Sequence, residues 1–170
     1  MRASASTLGF AALAALAALP AGAQTRKPQD GALLARGRYL VEIGGCNDCH
    51  TAGYTLAPGK IPERDWLQGS PLGWHGPWGT SYAINLRLLV SRLSEKEWVY
   101  LVKTMQPKPP MPWWALQAMT PGDQRALYGF VRHLGPAGKE TPADLPPGAA
   151  PPPPFVSFPM PPPPSAAKKG

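Results

Sequence analysis

The stretch Cys46-Asn47-Asp48-Cys49-His50 decides how the whole chain is interpreted, because it has the form of a covalent haem attachment site. Each thiol can add across one vinyl group of a porphyrin, and the two-residue spacer sets the thiols at the separation of the two vinyls. The histidine that follows is then held beneath the ring, where an imidazole nitrogen becomes the proximal ligand of the iron. The motif therefore predicts one haem c, bound through Cys46 and Cys49 and ligated by His50.

Cysteine and histidine usage weighs against other kinds of site. The chain has 2 cysteines, both in the motif, and its other histidines, His75 and His133, show no paired spacing, so a four-ligand zinc site is not indicated. A disulfide that closes so short a loop would restrain little chain entropy. A redox dithiol is the remaining alternative, although such a pair ordinarily follows a strand, and here it follows a helical pattern and two glycines.

The N-terminus has the order of a secretory signal peptide. Arg2 is followed by an apolar run from Leu8 to Leu19 and then by the small residues Ala21-Gly22-Ala23. The run is shorter than the roughly 20 apolar residues of a spanning helix. We therefore predict cleavage near Ala23, export to a bacterial periplasm and no spanning helix in the mature chain, with an uncleaved anchor as the alternative.

Length and proline distribution bound the domain organisation. The chain has 170 residues, and half of its 24 prolines lie beyond residue 138. We predict a signal peptide over 1–23, an N-terminal segment over 24–30, a haem domain over 31–137 and a proline-rich extended tail over 138–170. The composition of the tail favours disorder, with docking of Phe155 and Phe158 on the domain as the alternative.

The charge balance indicates the kind of partner. The formal net charge is +7, and removal of Arg2 with the signal leaves +6. An exported protein is not expected to meet nucleic acid, so the excess is interpreted as steering toward an acidic protein partner or an anionic membrane surface. Because the lysines and arginines are spread along the chain, a generic solvated surface is the alternative.

Hydrophobic periodicity and capping residues predict the helices. The first is expected from the cap Asp30 to Ile43, and Gly37 on its apolar stripe suggests close contact with another helix. Three more are expected: one over Leu86–Ser91, one capped by Ser94 and Glu97, and one from Thr120 and Pro121 to Gly135.

The glycine- and proline-rich stretch from Thr51 to Tyr82 predicts loops laid over the haem. Its tryptophans at 66, 74 and 78 are candidate apolar walls whose indole N–H groups reach the propionates, with ordinary core packing as the alternative. The candidate contacts to the haem pocket or its propionates are Trp66, Trp78, Tyr82 and Asn85.

Met111 is the candidate sixth ligand of the iron. Prolines on both sides of it forbid a helix and stiffen the segment, so a weak thioether ligand would be held in place without relying on its own bond strength. Met105 is better explained as core on the apolar face of a helix, Met119 as packing beneath a helix cap, and Met160 lies in the tail.

Several motifs together resemble the class I bacterial cytochromes c. These are Gly37-Arg38-Tyr39-Leu40, the haem motif with Thr51, the run from Gly79 to Asn85, Pro110-Met111-Pro112 and Leu127-Tyr128. The chain is also similar to the cytochrome subunits of membrane-associated alcohol and aldehyde dehydrogenases. Those subunits carry three haem motifs, whereas this chain carries one, which favours a monohaem carrier.

The resemblance covers residues 31 to 137 and implies an all-α, cytochrome c-like fold. That fold would place about four to five short helices around one haem, with long glycine- and proline-rich loops and the first and last helices crossing at Gly37. The resemblance also implies that a proline carbonyl, of Pro58 or Pro62, accepts the proton of the haem histidine.

The function expected is electron transfer rather than enzymatic catalysis. A histidine and a methionine keep the iron six-coordinate in both oxidation states, and the soft thioether raises its potential. Expected partners are a dehydrogenase donor and an oxidase or another cytochrome as acceptor. The alternatives are a haem enzyme or gas sensor with an open sixth position, and a dedicated subunit of a periplasmic dehydrogenase complex.

Overall fold

The computed structural model describes residues 28–57 and 59–159; the predicted signal peptide with its cleavage site and Met160 lie outside this part of the chain. Its helices are α1 (Pro28–Ile43), α2 (Cys46–His50), α3 (Leu86–Ser91), α4 (Glu95–Thr104), α5 (Trp113–Ala118) and α6 (Pro121–Leu134), and short 3-10 turns lie at Tyr54–Leu56 and Glu63–Asp65. The strands are β1 (Gly73–Gly76), β2 (Gly79–Tyr82) and β3 (Phe155–Ser157).

The prediction of an all-α fold is wrong, because part of the stretch assigned to loops forms a sheet. β1 and β2 are an antiparallel hairpin in which Gly76 pairs with Gly79 across the turn residues Pro77 and Trp78. β3 adds to β1 in parallel, which gives the strand order β2-β1-β3. These strands of three or four residues lack the alternating β-branched pattern by which a strand is recognised. The fold is therefore a set of helices joined to a small mixed sheet.

Residues 139–159 of the tail pack on the domain, which corrects the preference for disorder over this range. Leu145 and Thr80 exchange both backbone hydrogen bonds, at 3.1 and 2.9 Å, and the N–H of Phe158 donates to the carbonyl of His75 at 2.7 Å. Phe155 and Phe158 remain 42% and 37% exposed. Backbone pairing thus attaches the tail, and partial burial of the two rings against the hairpin adds to it. The composition of the tail does not indicate the backbone pairing.

The core lies around the crossing of α1 and α6, where Gly37 permits close approach. A Cβ added to Gly37 would lie 2.1 Å from the carbonyl oxygen of Ala126 and 2.6 Å from the Cβ of Phe130. The predicted contact of Gly37 with another helix is therefore confirmed. The buried hydrophobic residues are Leu40, Val41, Trp66, Leu67, Val90, Trp98, Val102, Ala126, Leu127, Phe130 and Val131.

We expect Gly37→Ala to lower the free energy of unfolding by about 1 to 3 kcal/mol, because the clashing atom is backbone and the helices must move apart. Gly31→Ala on the same helix is the matched control, since nothing lies within 4 Å of its added Cβ. That control should instead stabilise the protein by up to about 1 kcal/mol. Urea denaturation of the two variants measures the difference, and equal midpoints would contradict the crossing.

The predicted range of α3 and the predicted caps of α4 and α6 are confirmed. α3 covers the predicted residues, and the Ser94 hydroxyl accepts from the Glu97 N–H at 3.3 Å while the Glu97 carboxylate accepts from the Ser94 N–H at 2.7 Å. The Thr120 hydroxyl accepts from the Asp123 N–H at 3.2 Å, and α6 ends before Gly135. Each of these signals acts within one helical turn.

Two helix predictions need correction. α1 begins at Pro28, so Asp30 lies inside the helix and is not its cap. α5 was not predicted, because its residues Trp113–Ala118 form under two turns between Pro112 and Met119, too short a stretch for helical periodicity to register.

Candidate functional site

The two cysteines lie on one turn of helix. α2 begins directly after Gly45, whose φ of 65° lets the chain leave α1 and start a new helical turn. Cys46 and Cys49 are three residues apart in α2, so their side chains lie on the same face. Both are partly buried and neither forms a disulfide. Two unbonded thiols on one face of a helix are what the predicted attachment requires.

His50 is buried at the end of α2, and its ring is oriented by a backbone carbonyl. Its Nδ1 lies 2.8 Å from the carbonyl oxygen of Ile84. A carbonyl can only accept, so Nδ1 carries the proton and Nε2 keeps its lone pair when the ring is neutral. Burial lowers the pKa of His50, with the Ile84 carbonyl acting in the opposite direction. The buried ring is thus the neutral imidazole, the form that ligates a metal.

The partner of His50 differs from the predicted proline carbonyl. The Gly69 N–H donates to the His50 carbonyl at 2.7 Å, and the Ser70 N–H donates to the Ala83 carbonyl at 3.0 Å. Residues 69–70 therefore join α2 to the segment after β2, and this brings Ile84 to the imidazole. Pro58, one of the two prolines considered, lies outside the described residues, and Pro62 does not occupy the position.

A buried network fixes α2 to the loop beyond it. The Thr51 hydroxyl donates to Asn47 Oδ1 at 2.7 Å and accepts from the Leu67 N–H at 2.8 Å. Thr51 and Asn47 are both 1% exposed. These buried hydrogen bonds hold Asn47 and Thr51 in one arrangement, although Nδ2 of Asn47 has no partner among the described residues. The spacer residue Asn47 is thus structural, which ties the position of the thiols to the core.

Burial raises the pKa of the Cys46 thiol to about 11, and it also raises the pKa of the Cys49 thiol. The Asp48 carboxylate between them acts in the same direction. Catalytic dithiols need the opposite shift, because the thiolate is the attacking species. The environment of these cysteines therefore weighs against the redox-dithiol alternative.

Met111 lies on the loop of residues 105–112 between α4 and α5, which we call the Met111 loop. The Ser81 hydroxyl donates to the Pro109 carbonyl at 2.5 Å, two residues before Met111. Ser81 and Ile84 are three residues apart, so at most about 10 Å of chain separates the anchor of the Met111 loop from the carbonyl that orients His50. The segment from Ser81 to Ile84 thus contacts both candidate ligand segments. Met105 and Met119 pack against the core, as predicted.

The fold engages the polar side-chain groups of two predicted pocket residues, Trp66 and Asn85. The Trp66 indole donates to the Ile61 carbonyl at 2.8 Å, and its ring packs among core residues. The Asn85 side chain caps α3 through Leu88 N and donates to two carbonyls of the chain that follows α6. Tyr82 is 6% exposed, and its N–H donates to the carboxylate of Asp144. For Trp66 the core-packing alternative is therefore the better description.

Trp78 and its neighbour Trp74 keep polar groups unused by the fold. The two indole Nε1 atoms are buried and have no hydrogen-bond partner among the described residues. Their rings flank Phe158, with centroid distances of 6.0 Å for Trp74 and 5.4 Å for Trp78. Buried donors without partners are costly unless a ligand accepts from them. The two indoles could therefore donate to an acceptor on a ligand, and the predicted contact with haem propionates stays a prediction.

The residues present thus fit a covalently bound haem. Two unbonded thiols on one helical turn are followed by a buried imidazole whose Nδ1 is paired with a backbone carbonyl, which leaves Nε2 as the nitrogen that can ligate. Trp66 and Asn85 are not retained as candidate haem contacts, because their side-chain hydrogen bonds are made within the fold.

Sequence reasoning missed the partner of His50 and a buried arginine that joins distant segments of the fold. No sequence pattern could identify the Ile84 carbonyl as the partner of His50, because every residue has a backbone carbonyl. Arg87 is 6% exposed and donates to the carbonyls of Arg64, Leu134 and Gly135, which fastens the end of α6 to the loop before the sheet. Its position on an otherwise apolar stretch, Leu86 to Val90, was the available signal.

Comparisons with protein-family models, curated proteins and solved structures found no match to the chain. In residues 28–57 and 59–159, no group of three or more His, Cys, Asp or Glu side chains is arranged to hold a metal ion. None of the helices in that part of the chain is long and apolar enough to cross a membrane. The resemblance to class I cytochromes c thus rests on the motifs quoted above.

Proposed function

We propose that the chain is a monohaem c-type cytochrome that carries electrons in a bacterial periplasmic pathway. The observation that carries the proposal is the buried His50 imidazole, oriented by the Ile84 carbonyl directly after two unbonded thiols on one helical turn. This combination of donors suits covalent haem better than zinc or a redox dithiol.

In this role the side chains of α2 attach and ligate. Cys46 and Cys49 would form the thioethers, and His50 Nε2 would be the proximal ligand. A haem, when bound, supplies the one-electron couple between ferrous and ferric iron. The hydrogen bond from His50 Nδ1–H to the Ile84 carbonyl keeps the ring from rotating and makes Nε2 a better donor.

Met111 would be the distal ligand. Its thioether is soft, and the loop that carries it is anchored to β2 through Ser81 and Pro109. A ligand held by the fold rather than by its own bond changes position little between oxidation states. That property suits an electron carrier better than an enzyme that must open its sixth position to substrate.

The partners proposed are a dehydrogenase as donor and an oxidase or another cytochrome as acceptor. The mature chain would carry a charge of +6, which would steer it toward an acidic docking surface or an anionic membrane surface. Export to the periplasm and cleavage near Ala23 belong to the same proposal.

An absorption spectrum of the purified protein in both oxidation states tests the proposal. We expect a c-type haem spectrum that is low-spin in both states, with a weak far-red band of sulfur ligation in the ferric protein. Such a spectrum reports haem type, spin state and axial ligands together. A high-spin spectrum with rapid carbon monoxide binding would favour the enzyme or gas-sensor alternative.

A further inference from the structure

Asp144 and Leu145, in the tail, lie against β2 through their backbone and a carboxylate. Thr80 and Leu145 exchange both backbone hydrogen bonds. One carboxylate oxygen of Asp144 accepts from the Tyr82 N–H at 3.1 Å. A Cβ on Gly79 would lie 2.2 Å from the Leu145 carbonyl oxygen, so glycine is needed for the tail to approach β2 this closely. The contact between the tail and β2 is thus specific, because it depends on paired hydrogen bonds and on a glycine at position 79.

The same two tail residues contact the Met111 loop. The Lys108 ammonium lies 3.6 Å from the second carboxylate oxygen of Asp144 and donates to the Leu145 carbonyl at 3.3 Å. Lys108 precedes Met111 by three residues and Pro109, which Ser81 contacts, by one. Asp144 therefore joins β2 to the Met111 loop through its two oxygens.

We propose that Asp144 and Leu145 form a tail clamp that holds the Met111 loop against the sheet and so limits opening of the sixth ligand position. The consequence at the iron rests on the function proposed above, whereas the clamp rests on contacts of the chain itself. Without the tail, Lys108 would lose both of these acceptors. The Met111 loop would then keep the Ser81 contact at Pro109 and the hydrogen bond from the Gln117 side chain to the Met105 carbonyl.

The expected effect is moderate, because the Lys108 and Asp144 side chains are 38% and 43% exposed. A partly exposed ion pair contributes little, and a hydrogen bond to a backbone N–H contributes somewhat more. Loss of both contacts at Asp144 should raise the rate of loop opening about tenfold. Loss of the ion pair alone should raise it about twofold to fivefold.

The test uses the full-length haem-containing protein with three variants. Asp144→Ala removes both contacts of the carboxylate, whereas Asp144→Asn removes the charge and keeps an oxygen for the Tyr82 N–H. Lys108→Ala removes the two contacts that the Met111 loop makes with Asp144 and Leu145. Glu140→Ala is the matched control, because Glu140 lies in the same tail and forms an exposed ion pair with Arg92 at 2.5 Å, not with the Met111 loop. Deuterium uptake by the backbone N–H groups of the five non-proline residues in 105–113 and the rate of cyanide binding to the ferric protein are measured.

Faster uptake and faster cyanide binding in all three clamp variants, largest in Asp144→Ala and absent in Glu140→Ala, would support the clamp. Equal behaviour of clamp variants and control would overturn it. If the wild-type spectrum shows no sulfur ligation, the proposed function fails separately. Deuterium uptake then decides the clamp alone: increased uptake in Asp144→Ala supports it, and unchanged uptake overturns it.

Discussion

Serine at both Cys46 and Cys49 is expected to leave no haem attached to the polypeptide. Each thioether requires a thiol, and the chain has 2 cysteines. The wild-type protein, denatured in acid and extracted with organic solvent, should keep its haem and show no free thiol. The double variant should release all its haem into the solvent, and each single variant should mature poorly because one restraint on the ring is lost.

Asp48→Ala is the control for these substitutions, because Asp48 lies between the cysteines, is exposed and contributes no atom to the attachment. It should retain covalent haem at wild-type yield. Extraction of haem from the wild-type protein would end the covalent interpretation. Two titratable thiols in the wild type would instead restore the redox dithiol, in spite of the raised pKa of the thiols.

Helices α3, α4 and α6 could be predicted because their signals are local. The exchange of hydrogen bonds between Ser94 and Glu97 lies within one turn, and so does the cap of α6 by Thr120. Gly37 indicated a helix contact through its cost in a helix interior, although its partner on α6 could not be named from residues near it in sequence.

The sheet and the docked tail could not be predicted, because they depend on pairing between distant residues. Thr80 and Leu145 lie 65 residues apart, and their backbone hydrogen bonds leave no mark on side-chain composition. The two turn residues between Gly76 and Gly79 are Pro77 and Trp78, which are not the Asn-Gly or Gly-X pairs that mark a two-residue hairpin. The glycine and proline content of the surrounding stretch favoured loops instead.

The site divides in the same way. Cys46, Cys49 and His50 are adjacent in sequence, so their proximity was certain from spacing alone. The Ile84 carbonyl depends on the position of residues 69–70 between α2 and the segment after β2, which spacing does not reveal. Asn85 illustrates the reverse error, because a polar residue in a candidate pocket proved to be a helix cap.

Alanine at Met111 is expected to change the iron environment more than any other single substitution outside the haem motif. The ferric protein should lose its far-red sulfur band, and the iron should become open to carbon monoxide in the ferrous state and to cyanide in the ferric state. Its reduction potential should fall, because water or hydroxide stabilises ferric iron better than a thioether does. Absorption spectra, ligand titration and redox titration of the variant measure these changes.

Met105→Ala distinguishes ligation from packing. Met105 lies at the end of α4, packs against the core and is partly buried, so its loss should leave a small cavity that costs about 2 kcal/mol or less. The spectrum should be preserved.

The Met111 loop is restrained by its prolines and by the contacts of Ser81 and Lys108, so little ordering entropy opposes a weak iron–sulfur bond there. If Met105→Ala removes the far-red band and Met111→Ala leaves it, the assignment of the ligand is wrong. If the wild-type protein already binds carbon monoxide rapidly and neither substitution changes its spectrum, the proposal of an electron carrier is wrong. A haem enzyme or gas sensor with an open sixth position is then favoured.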